Sequence, residues 1–405
     1  MRSPSALRAV LAVSVSALLG LVGCTPADRA VLGAPECRDV PGGPSSDRAV
    51  PGTVYAWRPP FTTADSPTPT FGENGPEPVP GWTDVVSIAS TGHTAFAVRA
   101  DGTVEGYGLG FHGSLGDGDL GRHIAMAPQP VPGITDARSV HAVGDAAFVV
   151  RADGTVLAWG QGLLANGGAV NSGRDHVAQP VPLDGLRDVH AIAEGDLTAL
   201  ALRTDGRVAG WGINVTAQLG DRDGTALTTV RGVSGVVSLA AAGGAVVAAR
   251  GDGSVCAWGN NAFGLLAVTP LGGQTGRPRA IAGLADVVQV AGANHAAFAL
   301  DRHGGVWAWG RGGNGLLADG REDDHVSAVP TRIEGLPPAR WIGAGRGTAV
   351  AIDRDGGLWT WGIQLSSARS PRAYHAVRPE RVPLPGPVLA VSGNHALIAP
   401  SGVAL

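Results

Sequence analysis

Three histidines stand at equivalent points of a repeated pattern: His93, His295 and His395. Imidazole is a common zinc ligand and a frequent general base near neutral pH. Each of these residues falls in a different copy of the pattern, and no HExxH or other tight pair accompanies them. A hydrogen-bonded turn histidine fits better than a metal ligand, so no metal and no cofactor is expected. Carboxylates cluster at Asp117 and Asp119, at Asp221 and Asp223, and at Asp319 with Glu322, Asp323 and Asp324. Asp221-Arg222-Asp223-Gly224 opens like a calcium loop but lacks the bidentate Glu that closes one. These groups read as solvated turns. No Gly-x-Ser-x-Gly elbow or Walker-type loop occurs and no carboxylate pair is singled out, so no catalytic residue is assigned. The residues best suited to contact a partner are Phe61, Phe71, Arg372 and Tyr374, since aromatic and Arg side chains on projecting loops commonly anchor interfaces.

The segments that carry these residues recur. An Asp-Gly turn, a Val and an aromatic-Gly pair return about every fifty residues, as in Asp153-Gly154-Thr155-Val156-Leu157-Ala158-Trp159-Gly160. The turn glycines are Gly52, Gly102, Gly154, Gly206, Gly253, Gly304 or Gly305, Gly356 and Gly402. Period-two alternation predicts strands over 85–89, 93–98 and 103–107, with a proline-bearing edge strand over 128–132. One large ring recurs on the third strand, at Trp57, Tyr107, Trp159, Trp211, Trp258, Trp309 and Trp361, and is expected in the core. Both terminal copies are incomplete. The first holds only a third strand, over 53–57, and the last holds two strands, over 388–391 and 395–398. Joined, they make one unit and close a ring of seven. Function then lies in whatever breaks the repeat: the loops 58–81, 161–178 and 363–380.

The unit Gly-x-x-His-x-x-x-Leu-x-x-x-Gly-x-Val-x-x-Trp-Gly, followed by Gly-x-Leu-Gly-x-Gly, resembles the regulator of chromosome condensation repeat. The fullest matches run from Gly92-His93 to Gly116-Asp117-Gly118 and from Asn294-His295 to Gly315-Leu316-Leu317. That resemblance implies an all-β, seven-bladed β-propeller. Nuclear members of the family act as guanine nucleotide exchange factors on chromatin, and a secreted bacterial member inhibits β-lactamases through aromatic-rich loops. Here the loops before the second strand hold mostly small or polar residues, such as Thr91, Asp145, Asp196, Gly243, Asn294, Gly347 and Asn394.

Residues 1–23 read as a leader: Arg2 and Arg8 precede an apolar run from Ala9 to Leu21, too short for a bilayer span. Leu21-Val22-Gly23-Cys24 resembles the bacterial lipobox, which implies lipidation of Cys24 and placement on the outer face of the cell membrane. Residues 24–48 read as a flexible tether and 49–405 as the propeller. Cys37 and Cys256 could pair outside the cell, but a buried free thiol at Cys256 is favoured. The net charge is -4 and charged residues make up 16%, with no basic patch or tail, which argues against a nucleic-acid partner. The expectation is a monomeric, non-enzymatic binding module at the cell envelope, with a protein or cell-wall ligand and membrane contact only through the anchor. The alternatives are an inhibitor of the β-lactamase type and a hydrolase or lyase acting on cell-wall material.

Overall fold

The computed structural model describes residues 36–37, 40, 50–57, 76–91, 93–162, 176–195, 198–221, 226–345, 347–365 and 373–402. Their strands form seven four-stranded antiparallel sheets. Blade 1 runs Val85–Ser90, Thr94–Arg99, Val104–Gly110 and His123–Pro130. Blades 2 to 6 repeat this order from inner strands Ala137–Val143, Val189–Glu194, Val236–Ala242, Val287–Gly292 and Ala339–Ala344. Second strands are buried on both faces; Thr94–Arg99 is buried from Thr94 to Val98. Their alanines, such as Ala95, Ala97, Ala147, Ala199 and Ala201, suit wedges that narrow toward the axis and leave room for little more than a methyl group. Outer strands are largely exposed and carry prolines, which fits an edge that must not recruit further strands.

Blade 7 is assembled from both ends of the chain. Its strand order is Val388–Ser392, His395–Ile398, Thr53–Ala56 and Glu77–Pro78. The closing pairs run from Thr53↔Ile398 to Ala56↔His395. The N-terminal part thus supplies two strands, not the single third strand expected, because Glu77–Pro78 returns to pair with Tyr55 and Ala56. A two-residue strand carries too little alternation to be read locally. Of the alternatives Gly304 and Gly305, Gly304 takes the positive φ, at 92°. Gly52 is not a turn glycine: it bridges Val85, and an added Cβ would meet the carbonyl oxygen of Ile398.

The recurring aromatics fill the spaces between blades. Trp57, Trp159, Trp211, Trp258, Trp309 and Trp361 are almost wholly buried. Four indoles donate to carbonyls of the preceding blade's loop: Trp159 to Ser114 at 3.1 Å, Trp258 to Gln218 at 2.6 Å, Trp309 to Leu265 at 2.9 Å and Trp361 to Leu316 at 3.0 Å. Each ring therefore seals an interface and satisfies a buried acceptor. Near the axis, side chains stitch inner strands together. Ser87 Oγ accepts from Val140 N–H, and Ser238 Oγ from Val290 N–H. Ser90 N–H donates to Ser392 Oγ across the closure at 2.8 Å.

The segment expected to be a free tether is in part docked, and the favoured thiol is replaced by a disulfide. Cys37 is bonded to Cys256, with Cα atoms 6.4 Å apart. Cys37 N–H donates to Pro278 O at 3.2 Å and Val40 N–H to Ser234 Oγ at 3.0 Å. Glu36 bridges Arg279 and pairs with Arg277 at 3.4 Å. Cys256 is buried, as its strand position implied; its partner arrives over the outer strand Gln274–Ala280 of blade 4. Residues 1–35, including Cys24, lie outside the described residues.

Candidate interaction face

Antiparallel order gives the ring two unlike faces. One carries the turns between second and third strands and the connections between blades. These turns are nearly uniform. Asp101 Oδ1 accepts from Thr103 N–H at 2.9 Å and Thr103 Oγ1–H at 2.6 Å, and Asp153 and Asp252 repeat the arrangement with Thr155 and Ser254. The Thr103 hydrogen bonds hold the Asp101 carboxyl below its ordinary range. In blades 5 and 6 the carboxylate moves to Asp301 and Asp353 and also accepts from Trp307 and Trp359. The Asp of each turn is thus explained by the turn.

The opposite face carries the loops between first and second strands and those between third and fourth. It is where the repeat breaks. At blades 1 and 2 the rings of His93, Phe111, His112 and His176 form a row. His93 meets Phe111 edge-on at 6.3 Å, Phe111 meets His112 at 5.2 Å, and His112 stacks on His176 at 4.4 Å with planes 8° apart. His112 takes φ 54°, a conformation histidine tolerates better than most residues. Burial pushes the Asp145 carboxyl up, against the pull of His112 and His93. Beside the row is a depression of about 390 Å³ lined by Leu109, Phe111, His112, Leu120 and Arg122. Across the ring, Phe263 stacks on His295 at 4.1 Å, with the Arg311 guanidinium 5.5 Å above Phe263. Arg311 also grips Asp324 in two hydrogen bonds, 2.6 and 2.5 Å.

Asp223 lies outside the described residues; the other acidic groups expected as solvated turns lie at the surface, but several are engaged. His123 contacts Asp117 at 2.8 Å, His325 contacts Asp319 at 2.7 Å, His375 contacts Glu322 at 2.5 Å and Arg277 contacts Asp221 at 3.3 Å. The Gly121 carbonyl, then Asp117, raises the His123 pKa. No group of three His, Cys, Asp or Glu among the described residues could hold a metal ion. Phe61, Phe71 and Arg372 lie outside the described residues. Tyr374 is on the outer strand Ala373–Val382 of blade 6, its backbone opposite Gln364. The rings of Phe111, His112 and Phe263 were not singled out from sequence. Their signal was an aromatic inside the loop that follows the third strand, at Phe111-His112 and at Phe263. They add aromatic surface to the face whose other loops hold small residues.

The three histidines expected to be equivalent are not: Leu397 pairs with Val54 as Val98 pairs with Val104, so His395 stands in the place of Phe96, and only His93 and His295 correspond. His93 and His295 border the varied face, whereas His395 is 1% exposed and contacts the Tyr107 hydroxyl at 2.6 Å across the blade 7–blade 1 interface. Burial lowers the His395 pKa to about 3. His141, on the inner strand of blade 2, is lowered to about 4 by burial and then by the Arg138 charge, although it keeps some contact with solvent. A depressed folded-state pKa means that the unfolded chain takes up protons first, so stability falls as pH drops below about 6.5. Between pH 7.5 and 5, His395 alone should remove about 2 kcal/mol. Urea midpoints at the two pH values test this: His395→Gln, which can still bond Tyr107, should show a clearly smaller difference than the wild type. An unchanged difference would show that His395 is not held neutral.

A model described as the Regulator of chromosome condensation (RCC1) repeat matches residues 303–352, from the third-strand turn of blade 5 through the second strand of blade 6. The chain carries this repeat. It is 29% identical over 279 residues to human E3 ubiquitin-protein ligase HERC2, covering 64% of this chain and 6% of that protein. With fission yeast Protein pim1 it shares 28% over 257 residues, 62% of this chain and 41% of pim1. This RCC1-repeat chain thus spans only part of those relatives. Solved structures of similar fold include yeast RCC1 (Prp20) bound to Kap60, with TM-score 0.71, 18% identity and coverage of 87% and 90%. Human WBSCR16 gives 0.69, with 21% identity and coverage of 87% and 100%.

Proposed function

We propose that this RCC1-repeat propeller is a non-catalytic, exported binding module that offers its varied-loop face to a protein at the cell envelope. The difference between the two faces carries the reading: one is uniform and accounted for by its turns, the other bears stacked aromatics and a depression. Yeast Prp20p is described by its binding to Gsp1p and histones, which are proteins. Export is supported by Leu21-Val22-Gly23-Cys24 behind an apolar leader, and by a disulfide that persists in oxidising compartments. Lipidation of Cys24 would place the module on the outer face of the membrane.

The test is site-specific photo-crosslinking of the full chain in its host. A crosslinker at exposed Val215 or Leu271, on the varied face, should give a discrete protein adduct in the membrane fraction. One at Asp205 or Asp252, in the uniform turns, should not. Equal adducts from both faces, or none from the varied face, would overturn the reading.

A further inference from the structure

We propose that the rim of blade 1 is a docking site for an apolar protein segment carrying a carboxylate; this rests on the reading of the varied face as a protein-binding surface. Leu120, Ile124 and Met126 are 50%, 44% and 70% exposed. Ile124 and Met126 lie on the same side of the outer strand, and Ile124 pairs in register with Leu109, which lines the depression. Depression and strand side thus form one continuous apolar stripe, where most exposed apolar residues elsewhere stand apart.

Charge sets the chemistry of the occupant. Arg122 lines the same depression and is exposed, and no ion pair joins it to a described residue. The neighbouring carboxylates are engaged: Asp117 with His123, and Asp119 Oδ1 with Gly121 N–H at 2.7 Å. A guanidinium at the edge of an apolar surface favours a partner that brings a carboxylate beside aliphatic or aromatic side chains. Blade 2 bounds the site as well: His176, at the start of its outer strand His176–Pro182, stacks on His112.

The test uses a blocked pentapeptide with leucine and phenylalanine around one aspartate, and its asparagine counterpart. Each is titrated to millimolar concentration into the disulfide-intact protein while the Met126 methyl and His112 ring signals are followed by NMR. The acidic peptide should shift both signals saturably, and the asparagine peptide should bind about tenfold more weakly, the scale of one charged hydrogen bond. Arg122→Gln should erase that difference and Leu120→Asp should abolish binding, while Val329→Asp, on the exposed outer strand of blade 5, should leave it intact. Thermal melts confirm that each variant is folded. Absence of saturable shifts, equal affinity for the two peptides, or persistence in Leu120→Asp would overturn the site. Such a failure with crosslinks retained at Val215 or Leu271 removes this site and leaves the face; loss of both removes the face.

Discussion

Deletion of residues 386–405 should abolish cooperative folding of the propeller. The deletion removes Val388–Ser392 and His395–Ile398, the inner and second strands of blade 7. Thr53–Ala56 then keeps only the two-residue strand Glu77–Pro78 as a neighbour. Val388, Leu397 and Ile398 are at most 4% exposed, and burying each contributes about 1.5–3 kcal/mol. Their sum, roughly 5–9 kcal/mol, is already of the order of a domain's whole stability. The loss also uncovers Trp57, Ile352, Leu358 and Val382, which share a core cluster with the deleted residues. It removes His395 from Tyr107 as well, uncovers the sheet faces of blades 6 and 1, and leaves Thr53–Ala56 with an open strand edge. Calorimetry should show no sharp transition and size-exclusion chromatography should show aggregation. Supplying residues 386–405 as a separate peptide should restore part of the transition by strand addition. A truncated protein that melts like the full chain would contradict closure by both termini.

The parts of this architecture legible in the sequence are those written locally. Asp101 holds its own turn through Thr103, and Trp159 recurs one repeat after Tyr107, so each copy announces itself without knowledge of its neighbours. Closure could be inferred because the incomplete copies at 53–57 and 388–398 complement each other. Features that depend on what a residue meets across a blade boundary were not legible. His395, which the sequence aligns with His93, takes the place held by Phe96, Phe148 and Phe298 in other blades and meets the Tyr107 hydroxyl, at the one blade where tyrosine replaces tryptophan. That odd tyrosine was the available signal. Similarly, the row His93, Phe111, His112 and His176 joins two blades, and no single repeat contains it.

Breaking the Cys37–Cys256 bond should lower stability by about 2–4 kcal/mol, the usual range for a disulfide closing a long loop. The two cysteines are 219 residues apart, so the bond removes much freedom from the unfolded chain. The simple chain-entropy estimate is higher, about 5 kcal/mol, but native strain and residual structure usually reduce it. The two single variants should differ. Cys37→Ser leaves a thiol at Cys256, packed with Leu202, Val208, Val246 and Trp258, where a thiol behaves as a small apolar group. Cys256→Ser puts a hydroxyl in that same cluster and should be the worse variant by about 1–3 kcal/mol. Urea midpoints with and without reductant decide the matter: reductant should shift the wild type and leave both variants unmoved. Alkylation of the unfolded, unreduced protein should find neither Cys37 nor Cys256 reactive. Should reductant leave the wild type unchanged and Cys37→Ser match it, the arm would be held by Glu36, Val40 and the residue 37 backbone without the disulfide, and the argument for an oxidising compartment would lose its support.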